Sequence, residues 1–486
     1  MDLTARPLPW TDPETLFCAG PANADGGFWL DAGSAAVEGW SYLGIGESPV
    51  DVPREVAAAP STPAPKRWGP FSGGWVGWLA YDPAAGRAGA PARDEGPGSR
   101  GVRVRAFVAI DHASRQQWAV AAPDELDAHV QRVAGWAATP APALVPAPAI
   151  PTRSRHSASH YAELIEACRD IIREGDAYQL CLTTRFELDG AVDAVAAYRR
   201  LRRATPSHHG GFLRVGDHVL ASASPERFLD IVGGTVRTHP IKGTRPRGRT
   251  PDDDAQLAAE LRASAKEQAE NVMIVDLMRN DLQRVCEPGS VAVERLLEVE
   301  SYPAVHQLVS TVAGHVREGT TIGQVLDAAF PAGSMTGAPK LSAMTVLHRL
   351  EDGARGVFAG CGIRECAAVR CPRSARLRRE AANGKSAFLT KKNGGDRSPP
   401  SSILPEAIAY AVTPGLILVF TLPNVPERVE PRLVMAVMAA TAIRAAIRPY
   451  SMAVAPCSSR TRFLKKVMSS LLVWSSVPVP PCVAAG

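Results

Sequence analysis

No charged stretch running into an apolar one opens this sequence, and cysteine is scarce, with nine in 486 residues. Both features point away from secretion and toward a reducing cytoplasm. A zinc site is excluded too. Cys361, Cys366 and Cys371 stand five apart with no histidine nearby, wider than the roughly two- to four-residue spacing of zinc ligands. Nor is there an unbroken apolar run of membrane-spanning length. The longest, Ala407 to Val425, is interrupted by Thr413, Pro414 and Gly415, so no membrane is expected.

A basic body for nucleic acid is lacking as well. The formal charge is +5, but residues 363–486 hold 18 Lys+Arg against 6 Asp+Glu, which leaves 36 against 43 for residues 1–362. That body is mildly acidic, and no nucleic-acid partner is expected. What is present, 45% hydrophobic and 21% charged residues, suits a globular protein of enzyme size with one large core or two moderate ones.

Short strands fill residues 1–136, where "WGPFSGGWVGWLAYD" (Trp68 to Asp82) alternates aromatics with glycine. The prolines of "ATPAPALVPAPAIPTR" make residues 137–156 a linker. A helix follows, capped by Ser157 or Ser159, with Tyr161, Leu164, Ile165, Cys168, Ile171 and Ile172 on one face and Gly175 at its end. "AYQLCLTTRFEL" (Ala177 to Leu188) alternates like a strand. "HVLASASPERFLDIV" (His218 to Val232) reads as another, turning at Gly233-Gly234 into "TVRTHPIKGT" (Thr235 to Thr244). The periodic run from Ala255 to Val285 is long enough for two joined helices. The expected class is α+β, large β-sheets flanked by helices.

Several polar groups interrupt this pattern. Glu226 follows Pro225 at the end of a β-like run, and Lys242 sits between a Pro-Ile and a Gly-Thr pair. In "KEQAENVMIVDLMRNDLQRV", Glu270, Asn271, Asp276, Arg279, Asn280 and Asp281 are many polar groups for a run that otherwise looks buried. A polar network or a metal site competes there with a solvated face. "FPAGSMTGAPKLSAM" (Phe330 to Met344) is a glycine-rich loop entering a helix, where free backbone N–H groups can hold an anion. The spacing of Gly333, Gly337 and Lys340 is not that of a Walker loop, so a carboxylate fits better than a nucleotide.

Taken in order, "GDAYQLCLTTRF", "SPERF", "PIKGTRPRG", "KEQAENVMIVDLMRNDLQRV", "VHQLVS" and "FPAGSMTGAPK" resemble the chorismate-utilising enzymes. The resemblance spans about residues 157–360, with an N-terminal part similar in "PFSGGWVGWLAYD". It implies an anthranilate synthase component I-like fold whose catalytic body is residues 157–362. Lys242 separates the members: anthranilate synthases have alanine there, whereas Pro-Ile-Lys-Gly-Thr is similar to the enzymes that aminate chorismate at C4, toward 4-aminobenzoate and folate. By this resemblance Lys242 is the nucleophile, Glu226 the general acid and then base, and Glu270 one Mg²⁺ ligand. Thr244, His306, Lys340 and Gly337 would contact substrate. Ammonia would come from a separate glutamine amidotransferase (glutaminase) subunit, since no Cys-His-Glu glutaminase signature is present.

After "RGVFAG" (Arg355 to Gly360) the resemblance stops. The family's Ile-Arg-Thr strand, its glycine-rich turn and the helix bearing a second Mg²⁺-ligand glutamate have no counterpart. One aspartate, Asp396, remains in the last 124 residues, and five of the nine cysteines follow Gly360. Residues 363–486 read as a non-family tail, from a shifted frame or an unrelated segment, mostly without order. The expectation is a fold whose C-terminal part is missing or replaced, and a chain without turnover.

Overall fold

The computed structural model describes residues 2–50, 54–58, 66–93, 95–96, 98–146, 150–205, 207–302, 305–358, 361–365, 408–413 and 416–420. The helix Ala158–Glu174 forms where periodicity places it. Ser157 Oγ accepts from the His160 N–H at 3.2 Å, and Gly175 closes the helix at φ 88°. Tyr161, Leu164, Ile165 and Cys168 are its buried stripe, each large apolar side chain contributing about 1.5–3 kcal/mol on burial.

An eleven-stranded sheet organises the first layer. Gly27–Asp31 pairs antiparallel with His209–Val215, so strands from both sides of the proline-rich segment share one sheet. Phe17, Trp29, Tyr198 and Phe212 pack over it, with Phe17 ring centroids 4.9 Å from both Trp29 and Phe212. Beneath the aromatics, Asp31 accepts from the Tyr198 hydroxyl at 3.0 Å and from Arg202, while Glu14 accepts from Arg199 at 2.8 Å. Buried charge is held there only because each carboxylate meets a guanidinium.

Within the same sheet, Ile408–Thr413 and Leu416–Phe420 form an antiparallel pair. They lie between Thr183–Leu188 and His218–Ser224, Ile408–Thr413 pairing parallel with the first and Leu416–Phe420 parallel with the second. The apolar run that approached membrane length is therefore two strands flanking its Pro-Gly interruption. They take central positions for which the tail offered no family candidate. Cys361–Glu365 pairs with Gly74–Leu79 in a separate four-stranded sheet. The rest of the predicted tail lies outside the described residues. No helix among the described residues is long and apolar enough to cross a membrane.

The segment His218–Val232 is not one strand. His218–Ser224 ends at Pro225 in the large sheet, and Asp230–Val232 belongs to a second, five-stranded sheet. Proline has no N–H for the ladder, so the strand breaks there, and residues 225–229 cross between sheets. Thr235–Thr238 and Ile241–Pro246 likewise separate at His239-Pro240 but pair with the same strand, Val305–His315. Helices Pro251–Ala263 and Ala265–Gln283 pack against this sheet. Ser264 ends the first and caps the second, accepting from the Glu267 N–H.

Where the two sheets approach, His208 stacks on Tyr302 with ring centroids 4.1 Å apart and 5° between planes. Burial and the nearby Arg227 guanidinium hold its pKa down at about 4. The unfolded chain, with an ordinary histidine pKa near ~6.5, binds that proton more readily. Stability from this group is therefore present above about pH 6.5 and is lost as pH falls toward 4. Urea unfolding across that range should show a loss of roughly 2–3 kcal/mol that His208→Phe, keeping the stack without the titration, does not share. Parallel pH profiles for the two proteins would remove His208 from the account.

Candidate active site

Lys242 lies on Ile241–Pro246 and is only 2% exposed. Its burial follows from an irregularity in the strand. Ile241 faces Val309 and Thr244 faces Gln307, so three steps on one strand match two on the other. Gly243 absorbs the extra residue at φ +86°, where a Cβ would stand 2.9 Å from Leu261 Cδ1 and 3.0 Å from Glu267 Cβ. A bulge with glycine in the left-handed region re-aims its neighbour, and the neighbour here is Lys242.

Glu270 is buried on Ala265–Gln283, with Lys266 Nζ 3.4 Å from its carboxylate. One residue on, Asn271 ties the helix to the sheet. Its amide donates to Leu308 O at 3.1 Å, and its carbonyl accepts from Ser310 Oγ at 2.5 Å. The polar run that suggested a network or a metal site divides accordingly. Asp276 and Arg279 form an exposed pair at 3.2 Å, whereas Asp281 turns inward. Glu226 sits half-buried on the crossing segment, where Ser224 Oγ accepts from its backbone N–H at 3.4 Å.

Other predicted residues have protein partners. His306 is buried with Nδ1 2.8 Å from Ser301 Oγ and Nε2 2.9 Å from Asp254 Oδ1. Asp254 is in turn held by Arg247, which with the Gly248 N–H and His306 keeps its carboxyl far below the usual range. Lys340 Nζ donates to Asp281 Oδ2 at 2.5 Å and to Ala329 O at 3.1 Å. Burial raises the Asp281 pKa and lowers that of Lys340, while their attraction opposes each shift. Gly337 has φ +141° and would bring a Cβ to 2.1 Å from Gln179 O, so only glycine fits where the loop meets Gln179–Leu180.

Three residues passed over in the sequence matter to this geometry. Gln307 is buried across from Thr244, and strand alternation turns it to the face opposite His306. Its Oε1 has no donor among the described residues. Glu351 and Arg355 are both buried. Arg355 donates to Glu351 at 2.6 and 2.7 Å, to Met335 O at 2.8 Å and to Cys181 O at 2.8 Å. Period-two alternation could have separated Gln307 from His306. Glu351 and Arg355 stand at helical i,i+4 spacing, which could have paired them, but for the Arg355 contacts to Met335 and Cys181, 20 and 174 residues away in sequence, there was no local signal.

Lys242 and Glu270 are thus both buried on a strand and a helix that pack together, the same helix packs against the start of the glycine-rich loop, and Glu226 is on the crossing segment. Magnesium uses one or two protein carboxylates and keeps several waters. Glu270 suits that donor set as a single anchor. Among the described residues no group of three His, Cys, Asp or Glu side chains gathers to hold a metal alone.

Residues 32–364 match the chorismate binding enzyme family. The chain is 42% identical over 307 residues to an aminodeoxychorismate synthase of Streptomyces pristinaespiralis, covering 60% of this chain and 43% of that protein. It is 36% identical over 390 residues to anthranilate synthase component 1 of Streptomyces coelicolor, covering 72% and 75%. A crystal structure of anthranilate synthase component I from Streptococcus pneumoniae superposes with a TM-score of 0.55 at 29% identity, covering 63% and 71%. The chain spans about two-fifths of the length of the two Streptomyces aminodeoxychorismate synthases it matches.

Proposed function

Because this chain belongs to the chorismate binding enzymes, we propose that it aminates chorismate at C4 to 4-amino-4-deoxychorismate, taking ammonia from a glutaminase partner. The observation that carries this reading is Lys242, a lysine buried in a glycine bulge on the sheet against which the Glu270 helix packs.

Chorismate is a dicarboxylate with an allylic 4-hydroxyl. The Lys242 amine attacks C2 as the C4–O bond breaks and the double bond shifts. Glu226 gives its proton to the departing oxygen, which leaves as water. Ammonia then bonds to C4, the reverse shift expels the lysine from C2, and Glu226 takes the proton that ammonia sheds. Attack requires the unprotonated amine. Glu270 would hold Mg²⁺, which when bound neutralises the ring carboxylate and draws electron density from the ring. The glycine-rich loop receives a carboxylate on its backbone N–H groups.

This role belongs to 4-aminobenzoate and folate synthesis in the cytoplasm. The described cysteines Cys18, Cys168, Cys181 and Cys286 are free thiols, which suits a reducing compartment. The test is product analysis with chorismate, ammonium salt and Mg²⁺. Product that yields 4-aminobenzoate only after a lyase is added supports the reading. Fluorescent anthranilate without a lyase would give the site to C2 amination, a reading favoured by the longer match to anthranilate synthase component 1. Glutaminase binding without any turnover would make the chain a non-catalytic partner, the outcome expected if residues 363–486 stand in place of the strand, turn and glutamate-bearing helix that the resemblance lacks. Glu226→Gln should lower kcat by about 10²–10⁴-fold with little change in KM. Steady-state kinetics on the purified variant checks this, and a kcat within a few-fold of the parent rules Glu226 out as the acid.

A further inference from the structure

Ala329 ends the helix Ile322–Ala329, and Lys340 begins the helix Lys340–Glu351. Between them runs the glycine-rich loop. The last carbonyls of a helix have no partner within it, and the Lys340 ammonium supplies one at Ala329 O, 3.1 Å away. A single side chain thereby joins the residue before the loop to the residue after it. The same ammonium meets Asp281 Oδ2 at 2.5 Å, on the helix that carries Glu270. Both side chains are largely sealed, at 14% and 6% exposure.

The middle of the loop is held separately. Met335 O accepts from Arg355, Thr336 O accepts from the Cys181 N–H at 2.9 Å, and Gly337–Ala338 pairs with Gln179–Leu180. Its carbonyls are thus drawn to protein donors at three places. With two bonds already made and little exposure left, the Lys340 ammonium is poorly placed to serve as a free cation for a ligand.

We propose that Lys340 and Asp281 are positioning residues, a clamp that closes the base of the glycine-rich loop and sets its distance from the Glu270 helix, and that Lys340 does not contact substrate. The proposal rests on the reading of this chain as a chorismate binder. It makes Asp281 as important as Lys340 for binding, which a direct lysine–carboxylate contact would not.

The experiment compares the full chain with Lys340→Met, Asp281→Asn and the double variant. Hydrogen exchange of the loop amides from Ala332 to Gly337, chorismate affinity by calorimetry, and kcat and KM are measured, with urea unfolding to show that each is folded. Both single variants are expected to raise loop exchange and to weaken chorismate by about 10- to 100-fold, the cost of a misplaced binding loop. The double variant is expected to be no worse than either, because one interaction has been removed. KM should rise more than kcat falls. Should Lys340→Met not fold, the isosteric Asp281→Asn carries the comparison alone. If Lys340→Met weakens chorismate while Asp281→Asn leaves affinity and exchange unchanged, Lys340 is itself the ligand and the clamp is wrong. If the parent chain binds no chorismate, the functional reading fails and exchange alone decides. A rise in both single variants then upholds the clamp, and parent-like exchange in both overturns it.

Discussion

Lys242→Ala should leave C4 amination below about a thousandth of the parent rate, because the group that forms and then leaves the C2 bond is gone. Any chorismate still consumed should be aminated at C2, where ammonia adds directly once the lysine no longer occupies that approach. Lys242 is buried, so truncation also opens a cavity, at a cost of about 2–5 kcal/mol by analogy with large apolar truncations. Lys242→Met separates the two effects by keeping most of the volume without the amine. Lyase-coupled formation of 4-aminobenzoate is the measurement for both. A Lys242→Met protein retaining a tenth of the parent rate would falsify the nucleophile role, whatever the alanine variant does.

The largest expected loss of stability is at Arg355, not at the reacting groups. Arg355→Met strands the Glu351 carboxylate, itself 1% exposed, with only the Thr183 N–H at 2.8 Å among the described partners of its Oε1. Removing one member of a buried ion pair costs about 3–5 kcal/mol. It also frees Met335 O and Cys181 O, and lifts a guanidinium from the Tyr81 ring, 4.7 Å away. Burial already pushes the Tyr81 hydroxyl up to about 12, so the tyrosine stays neutral and adds no second anion beside Glu351. Adding Glu351→Gln should recover about 1–2 kcal/mol, since a neutral carboxamide can still accept from Thr183 without an unpaired charge. Urea midpoints at constant m decide the matter. A loss under 1 kcal/mol for Arg355→Met, or no recovery in the double variant, would remove the pair from its place as the anchor of the loop.

Much of the local structure was legible in the sequence. Ser157, Gly175 and the apolar stripe of Ala158–Glu174 act within a few residues of one another, so the sequence contains the whole of their physics. The run read from Ala255 to Val285 does hold two joined helices, but their junction at Ser264 was not placed from periodicity. Strand extents were less legible. His218–Val232 alternates evenly, yet Pro225 divides it between two sheets, and only the partner strands show which part goes where.

By itself, then, the sequence determined the α+β class, the limits of the helix Ala158–Glu174 and a set of polar residues spaced for chemistry, because caps, turns and periodicity are short-range effects. The helices Pro13–Ala19, Tyr81–Arg87 and Leu126–Ala137, by contrast, stand in a segment read as short strands. Tertiary structure alone decided what each polar residue could still do. Lys340 meets Asp281 across 59 residues and His306 meets Asp254 across 52, and these contacts commit two groups that motif spacing left available. The extra residue at Gly243 does the reverse for Lys242. Register against Val305–His315 fixes where the bulge falls, and that register depends on a partner strand more than sixty residues further along the chain.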